Sequence, residues 1–178
     1  MPRKASVFIA ASLDGYIATK EDSLTWLTDT PGEEDNGYLA FLSRVDTLLI
    51  GRRTYDWILE HEGPEHFPYT TQRCIVFTHR PYEALFPNVT FTDEPPAKVL
   101  TRLKAENGAG VWIVGGGKLI RELMGEGLID EWILTFAPVL LGSGIPLFYP
   151  ARETRLHLVE VQRFGQFVQL RYGMESDK

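Results

Sequence analysis

The sequence predicts an α/β fold with a mostly parallel central sheet of about eight strands and about four helices. Short runs rich in Val, Ile, Leu and Phe recur along the chain, and amphipathic segments lie between most of them. Such alternation indicates parallel strands joined by right-handed crossovers. The last two runs are separated only by a turn around Gly165, which predicts an antiparallel hairpin at one edge of the sheet.

Most of the first five apolar runs contain few polar residues, as expected for central strands that are covered on both faces. The predicted strands are Ser6–Ala11, Thr47–Ile50, Cys74–Thr78, Val89–Thr92, Val111–Val114, Glu131–Pro138, Leu156–Arg163 and Phe167–Tyr172. The predicted helices are Glu34–Ser43, Thr54–Leu59, Ala97–Glu106 and Lys118–Met124. Pro95 and Pro96 mark the start of the third helix, and Gly125 ends the fourth.

Length and composition predict a single domain over residues 1–178. The net charge of −6 argues against a general nucleic-acid or anionic-membrane binder, although it leaves room for a local basic pocket. No apolar stretch approaches the roughly 20 residues that span a bilayer. The N-terminus leads directly into strand-like sequence without a signal-peptide pattern, so we expect a cytoplasmic protein.

Neither the cysteine nor the histidines suggest a reactive or metal-binding site. Cys74 lies in an apolar run, which predicts a buried structural thiol rather than a nucleophile. His61 and His66 are five residues apart with Pro64 between them, so they do not have the spacing of metal ligands on one helix. We therefore expect no metal site.

A glycine turn follows the fifth predicted strand. Gly115, Gly116 and Gly117 connect this strand directly to the helix that begins at Lys118. Glycine lets a ligand approach the main chain closely, and the unpaired N–H groups of a first helical turn attract anions. The turn therefore suits a phosphate, although a tight βα turn without a ligand explains the same residues.

The spacing of this turn excludes the two commonest nucleotide-binding loops. A dinucleotide-binding fingerprint requires Gly or Ala at the position of Ile120. A P-loop requires Gly at the position of Trp112 and Ser or Thr at that of Leu119.

A second strand-to-helix turn has the same character. Gly51 ends an apolar strand, and Arg52 and Arg53 stand at the first turn of the helix that follows. Arginine binds phosphate through its planar fork of donors, and Thr54 can add a hydroxyl group or cap the helix. The alternative is a solvated pair of arginines beside an ordinary cap.

The third predicted strand ends in Thr78, His79 and Arg80, which could hold a further phosphate or simply form a turn. In a parallel α/β sheet, ligands bind beyond the carboxyl ends of the strands, and all three turns fall on that edge. Three phosphate-compatible turns fit a ligand with a pyrophosphate and one further phosphate. NADPH has this arrangement.

Four motifs, in this order, resemble the dihydrofolate reductase superfamily, in particular the branch that contains the reductase domain of the riboflavin-pathway deaminase–reductases. The motifs are Ile9–Ala18, Gly51–Tyr55, Val114–Gly117, and the pair Leu128–Glu131 and Ala137–Gly142. Each motif is moderately specific, and their common order covers almost the whole chain. The resemblance implies a dihydrofolate-reductase-like fold of three layers.

The resemblance also implies an NADPH site. Ala10 and Ile17 would contact the nicotinamide carboxamide through backbone groups, and Gly51–Thr54 would hold the pyrophosphate and the adenosine 2′-phosphate region. Thr78–Arg80 would flank the 2′-phosphate and the adenine, while Gly115–Leu119 would cradle the pyrophosphate. In this family a cis peptide joins the first two glycines of the last segment.

Two carboxylates are candidates for the substrate side. Folate reductases carry an acidic residue on the first helix that binds the pterin ring, and the family spacing places Asp35 there. Asp35 is equally explained as a charge at a helix N-terminus. Asp14 could orient substrate hydroxyl groups or shape a turn with Gly15. The motifs around Asp14 and Leu141 favour the riboflavin-type branch.

The resulting hypothesis is an NADPH-dependent reductase that transfers hydride to a C=N or C=O bond of a small heterocyclic or ribosyl-type substrate. A dihydropterin reductase and an NADPH-binding protein without turnover are the alternatives. Apolar residues near the last strands are expected to form an exposed apolar surface, which predicts a homodimer formed through this region. These residues are Phe136, Leu147, Phe148 and Phe167.

Overall fold

The computed structural model of the chain describes residues 3–80, 83–149 and 153–174. Within these residues the strands are β1 (Ala5–Ser12), β2 (Tyr16–Ala18), β3 (Val45–Gly51), β4 (Arg73–Phe77), β5 (Val89–Thr92), β6 (Gly110–Gly115), β7 (Glu131–Ala137), β8 (Ile145–Pro146), β9 (Leu156–Phe164) and β10 (Phe167–Met174). The helices are α1 (Thr25–Thr28), α2 (Tyr38–Leu42), α3 (Arg52–Glu62), α4 (Pro96–Ala105) and α5 (Gly117–Gly125).

Eight of these strands form one sheet in the order β5-β4-β3-β6-β1-β7-β10-β9. The six strands from β5 to β7 are mutually parallel, and β10 and β9 add to β7 as an antiparallel hairpin. These are the eight strands that the sequence predicts. The remaining strands, β2 and β8, pair with each other in a separate antiparallel ribbon that the sequence did not predict. They are too short to show an alternating pattern.

Helices cover both faces of the sheet and produce three layers. One apolar core lies between the sheet and helices α4 and α5, and a second lies between the sheet and helices α2 and α3. The first core includes Val7, Leu49, Ile113, Leu100, Leu103, Ile120 and Leu123. The second core includes Leu48, Ile50, Val76, Trp112, Phe41, Tyr55 and Ile58. The expected three-layer α/β architecture with a mostly parallel sheet is therefore confirmed.

The segment before α2 differs from the predicted helix over Glu34–Ser43, because the helix begins only at Tyr38. Glu34, Asn36 and Gly37 have φ angles of 48°, 52° and 79°, which no α-helix accommodates. The carboxylate of Asp35 accepts hydrogen bonds from backbone N–H groups nearby, as Asp and Asn side chains do in turns. This competition with the helix ladder shortens the predicted element.

Two further expectations depend on burial. Cys74 is fully buried, and burial raises the pKa of its thiol to about 12, so its assignment as a structural residue is confirmed. Leu147 and Phe167, by contrast, lie in the core with 1% and 3% of their surfaces exposed, so the prediction that they form an exposed apolar surface is wrong. Among the described residues, no helix combines the length and the hydropathy needed to cross a bilayer.

The buried carboxylate of Glu131 links the C-terminal strands to β1 through hydrogen bonds and ion pairs. The Glu131 carboxylate accepts a hydrogen bond from Ser6 Oγ at 2.9 Å and another from Arg171 Nε at 2.7 Å. Arg44 approaches the same carboxylate to 3.5 Å. Burial alone would raise the pKa of Glu131, but these hydrogen bonds and charges outweigh it, so the pKa lies below its ordinary value of 4.5.

Replacing this carboxylate should destabilise the fold in a pH-dependent way. We expect Glu131→Gln to lower the free energy of unfolding by about 2 kcal/mol at pH 7, because Arg171 loses its buried counter-charge. The ionised form of Glu131 stabilises the wild type above pH 4.5, and this contribution disappears as the pH falls through the lower pKa of the folded state. Urea unfolding at pH 7 and pH 3 should show a difference between the two proteins that shrinks at the lower pH.

Candidate functional site

A gap begins where β1 separates from β6. The two strands pair only from Ala5 to Val7, whereas β1 remains paired with β7 as far as Ser12. Ala10 therefore lies beside Thr135 of β7 on one side, with the diverging β6 on the other. Separated strands at the carboxyl edge of a parallel sheet form the crevice in which ligands bind in open α/β folds.

The two glycine turns predicted from the sequence meet at this edge. A Cβ atom on Gly51 would lie 3.3 Å from both the carbonyl oxygen of Gly115 and the nitrogen of Gly116. A Cβ atom on Gly116 would lie 3.2 Å from Thr54 Oγ1. A cis peptide joins Gly115 to Gly116, as the family resemblance implied. The fold thus brings the main chain of both turns together on one surface, where Gly51 and Gly116 are half-buried.

Helix α5 starts at this surface. The N–H groups of Leu119 and Ile120 donate to Gly116 O at 3.0 and 3.2 Å, so these two donors belong to the helix itself. Leu119 is buried, whereas Lys118 is exposed in the first turn. A cation at a helix N-terminus is unfavourable unless an anion offsets it.

Helix α3 begins in the same way, with two arginines in its first turn and no acidic residue there. Each arginine has a carboxylate partner. Arg52 Nε lies 2.7 and 2.8 Å from the carboxylate oxygens of Asp56, and Arg53 forms an ion pair with Asp22 across 31 positions of sequence. The exposed Arg53–Asp22 pair contributes little to stability, so an incoming phosphate can replace the Asp22 carboxylate, whereas the Arg52 side chain is only 23% exposed and is held more firmly.

Thr78 follows β4 one strand further from the gap, next to the end of β3 because Gly51 and Phe77 are register partners. Its N–H donates to Thr92 O at 2.8 Å, and its hydroxyl accepts from the N–H of Arg80 at 3.2 Å. His79 and Arg80 are exposed. The third predicted turn therefore lies on the same edge as the other two.

The short ribbon places Ile17 near the start of α5. Ile17 lies in β2, which pairs with β8, and it is half-buried against the core beneath α4 and α5. A Cβ atom on Gly117 would lie 3.4 Å from Pro146 O of β8 and 3.3 Å from the ring of Tyr149. The ribbon thus connects the segment after β1 with the glycine turn after β6.

The Asp14 carboxylate fastens neighbouring backbone in place. It accepts hydrogen bonds from Ser12 Oγ at 2.6 Å and from the N–H groups of Leu141 and Gly142 at 3.1 and 2.7 Å. These bonds, that from Ser12 above all, lower the pKa of Asp14. The geometry supports the interpretation of Asp14 as a turn-shaping residue.

Asp35 is bound in a similar way. One carboxylate oxygen accepts from Gly37 N–H at 3.1 Å and the other accepts from Leu39 N–H at 2.6 Å. Both oxygens therefore hold the entry to α2, and the interpretation of Asp35 as a charge at a helix N-terminus accounts for its contacts. Its assignment as a substrate-binding group stays a prediction.

Sequence reasoning missed two polar residues near the gap. Thr135 is the register partner of Ala10, and Gln169 is the register partner of Thr135. The Gln169 side chain donates to Thr135 Oγ1 at 2.9 Å and to the backbone carbonyl of Asn36 at 3.2 Å. The available signal was an uncharged polar residue inside each of two largely apolar runs.

A protein-family model matches nearly the whole sequence of the chain. Residues 3–170 match the sequence model of the RibD C-terminal domain. The chain belongs to the RibD C-terminal domain family. YwjB, an uncharacterized protein of Bacillus subtilis strain 168, is 45% identical over 173 residues, which cover 97% of this chain and 98% of YwjB.

Solved structures agree with the family assignment. A candidate riboflavin biosynthesis protein from Shewanella sp. PV-4 is 31% identical with a TM-score of 0.86, and the match covers 99% of this RibD C-terminal domain and 100% of that protein. Dihydrofolate reductase from Enterococcus faecalis, complexed with NADP(H), has a TM-score of 0.62 at 18% identity, with 97% of each chain covered. At this identity the second similarity establishes the fold, which is dihydrofolate-reductase-like.

The backbone conformation of Gly115 provides a stability test for this RibD C-terminal domain. Gly115 has a φ of 120°, which a side chain rarely tolerates. We expect Gly115→Ala to lower the free energy of unfolding by about 1–2 kcal/mol. Gly125 has open space around its Cβ position, so Gly125→Ala is the matched control and should stay within about 0.5 kcal/mol of wild type. If the two substitutions changed the free energy of unfolding in urea equally, the positive φ angle of Gly115 would not be what excludes a side chain there.

Proposed function

We propose that the protein is an NADPH-dependent oxidoreductase that transfers hydride to a C=N or C=O bond of a small heterocyclic or ribosyl-type substrate. Membership of the RibD C-terminal domain family supports a reductase. The dihydrofolate-reductase-like fold supports a nicotinamide cofactor, since the enterococcal enzyme of this fold is complexed with NADP(H).

One observation carries the cofactor assignment. Helices α3 and α5 begin at adjoining glycine turns, and the first turn of each contains basic residues and no acidic residue. The helix dipole normally favours acidic residues at this end. Two basic helix N-termini beside the glycine main chain therefore favour a multiply charged anion, such as a dinucleotide that carries a pyrophosphate and one further phosphate.

The residues present fit NADPH. The main chain of Gly51 and Gly116 is accessible because neither residue has a side chain, and this surface would hold the pyrophosphate. Arg52, Arg53 and the Thr78–Arg80 turn would hold the 2′-phosphate region, which favours NADPH over NADH. The bound cofactor would supply the hydride, and the protein would supply its orientation and a dry environment.

The main chain of β1 would position the nicotinamide. Ala10 lies where β1 leaves β6, so its backbone edge is directed toward the gap. Asp14 and Asp35 both bind backbone N–H groups of the chain itself. We therefore assign the proton that accompanies hydride transfer to water.

Dihydropterin reduction and cofactor binding without turnover remain the competing hypotheses, and steady oxidation of NADPH with a given substrate distinguishes them.

Removing the two arginines tests the cofactor assignment. We expect the double variant Arg52→Ala/Arg53→Ala to bind NADPH about ten- to a hundredfold more weakly, because each lost guanidinium removes charge-assisted hydrogen bonds to phosphate. Its affinity for NADH should change much less. Quenching of tryptophan fluorescence in titrations with both nucleotides measures these affinities.

The double variant Arg73→Ala/Arg102→Ala is the matched control, since it removes the same charge from the first residue of β4 and from α4, away from the glycine turns. It should bind NADPH as the wild type does. Unchanged NADPH affinity in Arg52→Ala/Arg53→Ala would show that the cofactor assignment is wrong.

We also propose a homodimer, formed through β9. This strand lies at the edge of the sheet, and side chains on one face of β9 and β10 form an exposed apolar surface. Leu158, Val161 and Val168 expose 54%, 58% and 43% of their surfaces. A second copy suits this surface, because two antiparallel β9 strands related by a two-fold axis would continue the apolar face from one copy into the other and bring their Val161 side chains together.

A charge within this apolar surface should prevent association. We expect Val161→Lys to sediment as a monomer at micromolar concentration where the wild type sediments as a dimer, because the lysines would be brought together across the two-fold axis. Glu21→Lys is the control, because Glu21 is exposed and lies far from β9 in the sequence. This variant should remain a dimer. A monomeric wild type would contradict the proposed assembly.

A further inference from the structure

A cavity of about 350 Å³ lies beside α5, on the face of the sheet that α4 and α5 cover. None of the described residues that line it carries a charge. We refer to it as the α5 cavity. Its wall is largely apolar and is formed by Met124, Trp132, Phe148, Leu156 and Met174, with the phenol ring of Tyr149 at one end.

Most of this lining lies away from the glycine turns. Met124 is near the C-terminal end of α5, and Trp132 is the second residue of β7. Leu156 and Met174 are register partners at the open end of the β9–β10 hairpin. Because β7 runs parallel to β1 and β6, its amino end lies at the opposite edge of the sheet from the turns that follow the strands. The α5 cavity is therefore a site of its own, and it does not depend on the proposed function.

Tyr149 closes the end of the cavity that is nearest the start of α5. A Cβ atom on Gly117 would lie 3.3 Å from the Tyr149 ring, and the guanidinium carbon of Arg121 lies 4.8 Å from the centre of that ring. Gly117, Arg121 and Met124 follow one another along a single face of α5, about one helical turn apart. This face brings the Arg121 guanidinium next to the cavity.

Arg121 is available to an anion. It is exposed, and within residues 3–80, 83–149 and 153–174 it forms no ion pair with a carboxylate. Stacking on Tyr149 uses the flat face of the guanidinium group, so the N–H donors in its plane remain free to bind. Their geometry matches a carboxylate, which accepts two parallel hydrogen bonds.

The wall of the cavity favours an aromatic body for the ligand. The rings of Trp132 and Phe148 contact each other, with their centroids 5.5 Å apart and their planes inclined by 50°. Thioether groups such as those of Met124 and Met174 make favourable contacts with aromatic rings and adapt to their shape. The volume is at the lower end of the range of ligand pockets, which begins at about 300 Å³, so it suits a compound of one or two fused rings.

We propose that the α5 cavity binds an aromatic monocarboxylate. The ring system packs against Trp132 and Phe148, and the carboxylate accepts hydrogen bonds from the guanidinium group of Arg121. A single negative charge is sufficient, because none of the other described residues that line the cavity offers a counter-charge.

A second copy of the chain seated on Phe148 makes a different prediction. The Phe148 side chain is 44% exposed, so a protein partner could cover it as well as a small molecule could. The cavity would then be closed in the assembled protein and would bind no small aromatic compound.

Calorimetric titration of the full chain with two matched compounds tests the proposal. Naphthalene-2-carboxylate has the proposed charge and shape, and naphthalene-2-carboxamide has the same shape without the charge. We expect the wild type to bind the carboxylate about tenfold more tightly, because a charge-assisted hydrogen bond is stronger than a neutral one.

Two variants separate the contributions of the charge and of the ring. Arg121→Gln should reduce the preference for the carboxylate to about twofold or less and leave the affinity for the carboxamide unchanged. Phe148→Ala should weaken the binding of both compounds about fivefold, because an aromatic contact is lost. Both residues are exposed, so neither substitution removes a core side chain.

Arg102→Gln is the matched control. Arg102 is an exposed arginine of α4 that pairs with Glu94, and it does not line the cavity. This variant should bind both compounds as the wild type does, and saturating NADPH should not displace the carboxylate from the wild type.

The proposal is overturned if the wild type binds neither compound, as a cavity filled by a second copy would predict. It is also overturned if Arg121→Gln keeps the full preference, or if Phe148→Ala keeps both affinities. Displacement of the carboxylate by NADPH would place it at the glycine turns and would contradict the proposal as well.

Discussion

The close approach of Gly51 to the main chain of Gly115 and Gly116 is the constraint on which the candidate site depends. Two parallel strands, β3 and β6, end at this contact, and the helices that follow them start within it. Any side chain at Gly51 would separate the two turns. Without that contact, the basic first turns of α3 and α5 would lie on separate parts of the surface.

Different interactions hold together the opposite side of the gap, which β1 and β7 form. There, β1 stays with β7 beyond the point at which it leaves β6, and a buried carboxylate links the C-terminal strands to β1 through Ser6. Arg171 balances the charge of Glu131, so β10 is fixed against β7. Main-chain contact thus determines one wall of the crevice, whereas buried charge and hydrogen bonding determine the other.

Much of the fold could be predicted from the sequence because the central strands are almost entirely apolar and the turns between strand and helix contain glycine. The ends of parallel strands meet at one edge, so the three predicted turns had to lie on the same side of the sheet. The late start of α2 could not be predicted, because local side-chain hydrogen bonds around Asp35 override an amphipathic pattern. The Thr135–Gln169 pair joins residues 34 positions apart, and a polar residue within a strand looks the same in the sequence whether it faces solvent or is buried with a partner.

The pairing of Arg53 with Asp22 has a consequence for the segment between β2 and α1. Asp22 has a φ of 62° and its N–H donates to Thr19 O, so the turn holds this carboxylate toward α3. An anion that takes the guanidinium must release the carboxylate, and the turn then loses its tether. Anion binding at Arg53 and the attachment of this turn to α3 are therefore linked by one exchange of counter-ions, while the hydrogen bonds between Thr19 and Ser23 keep the turn itself closed.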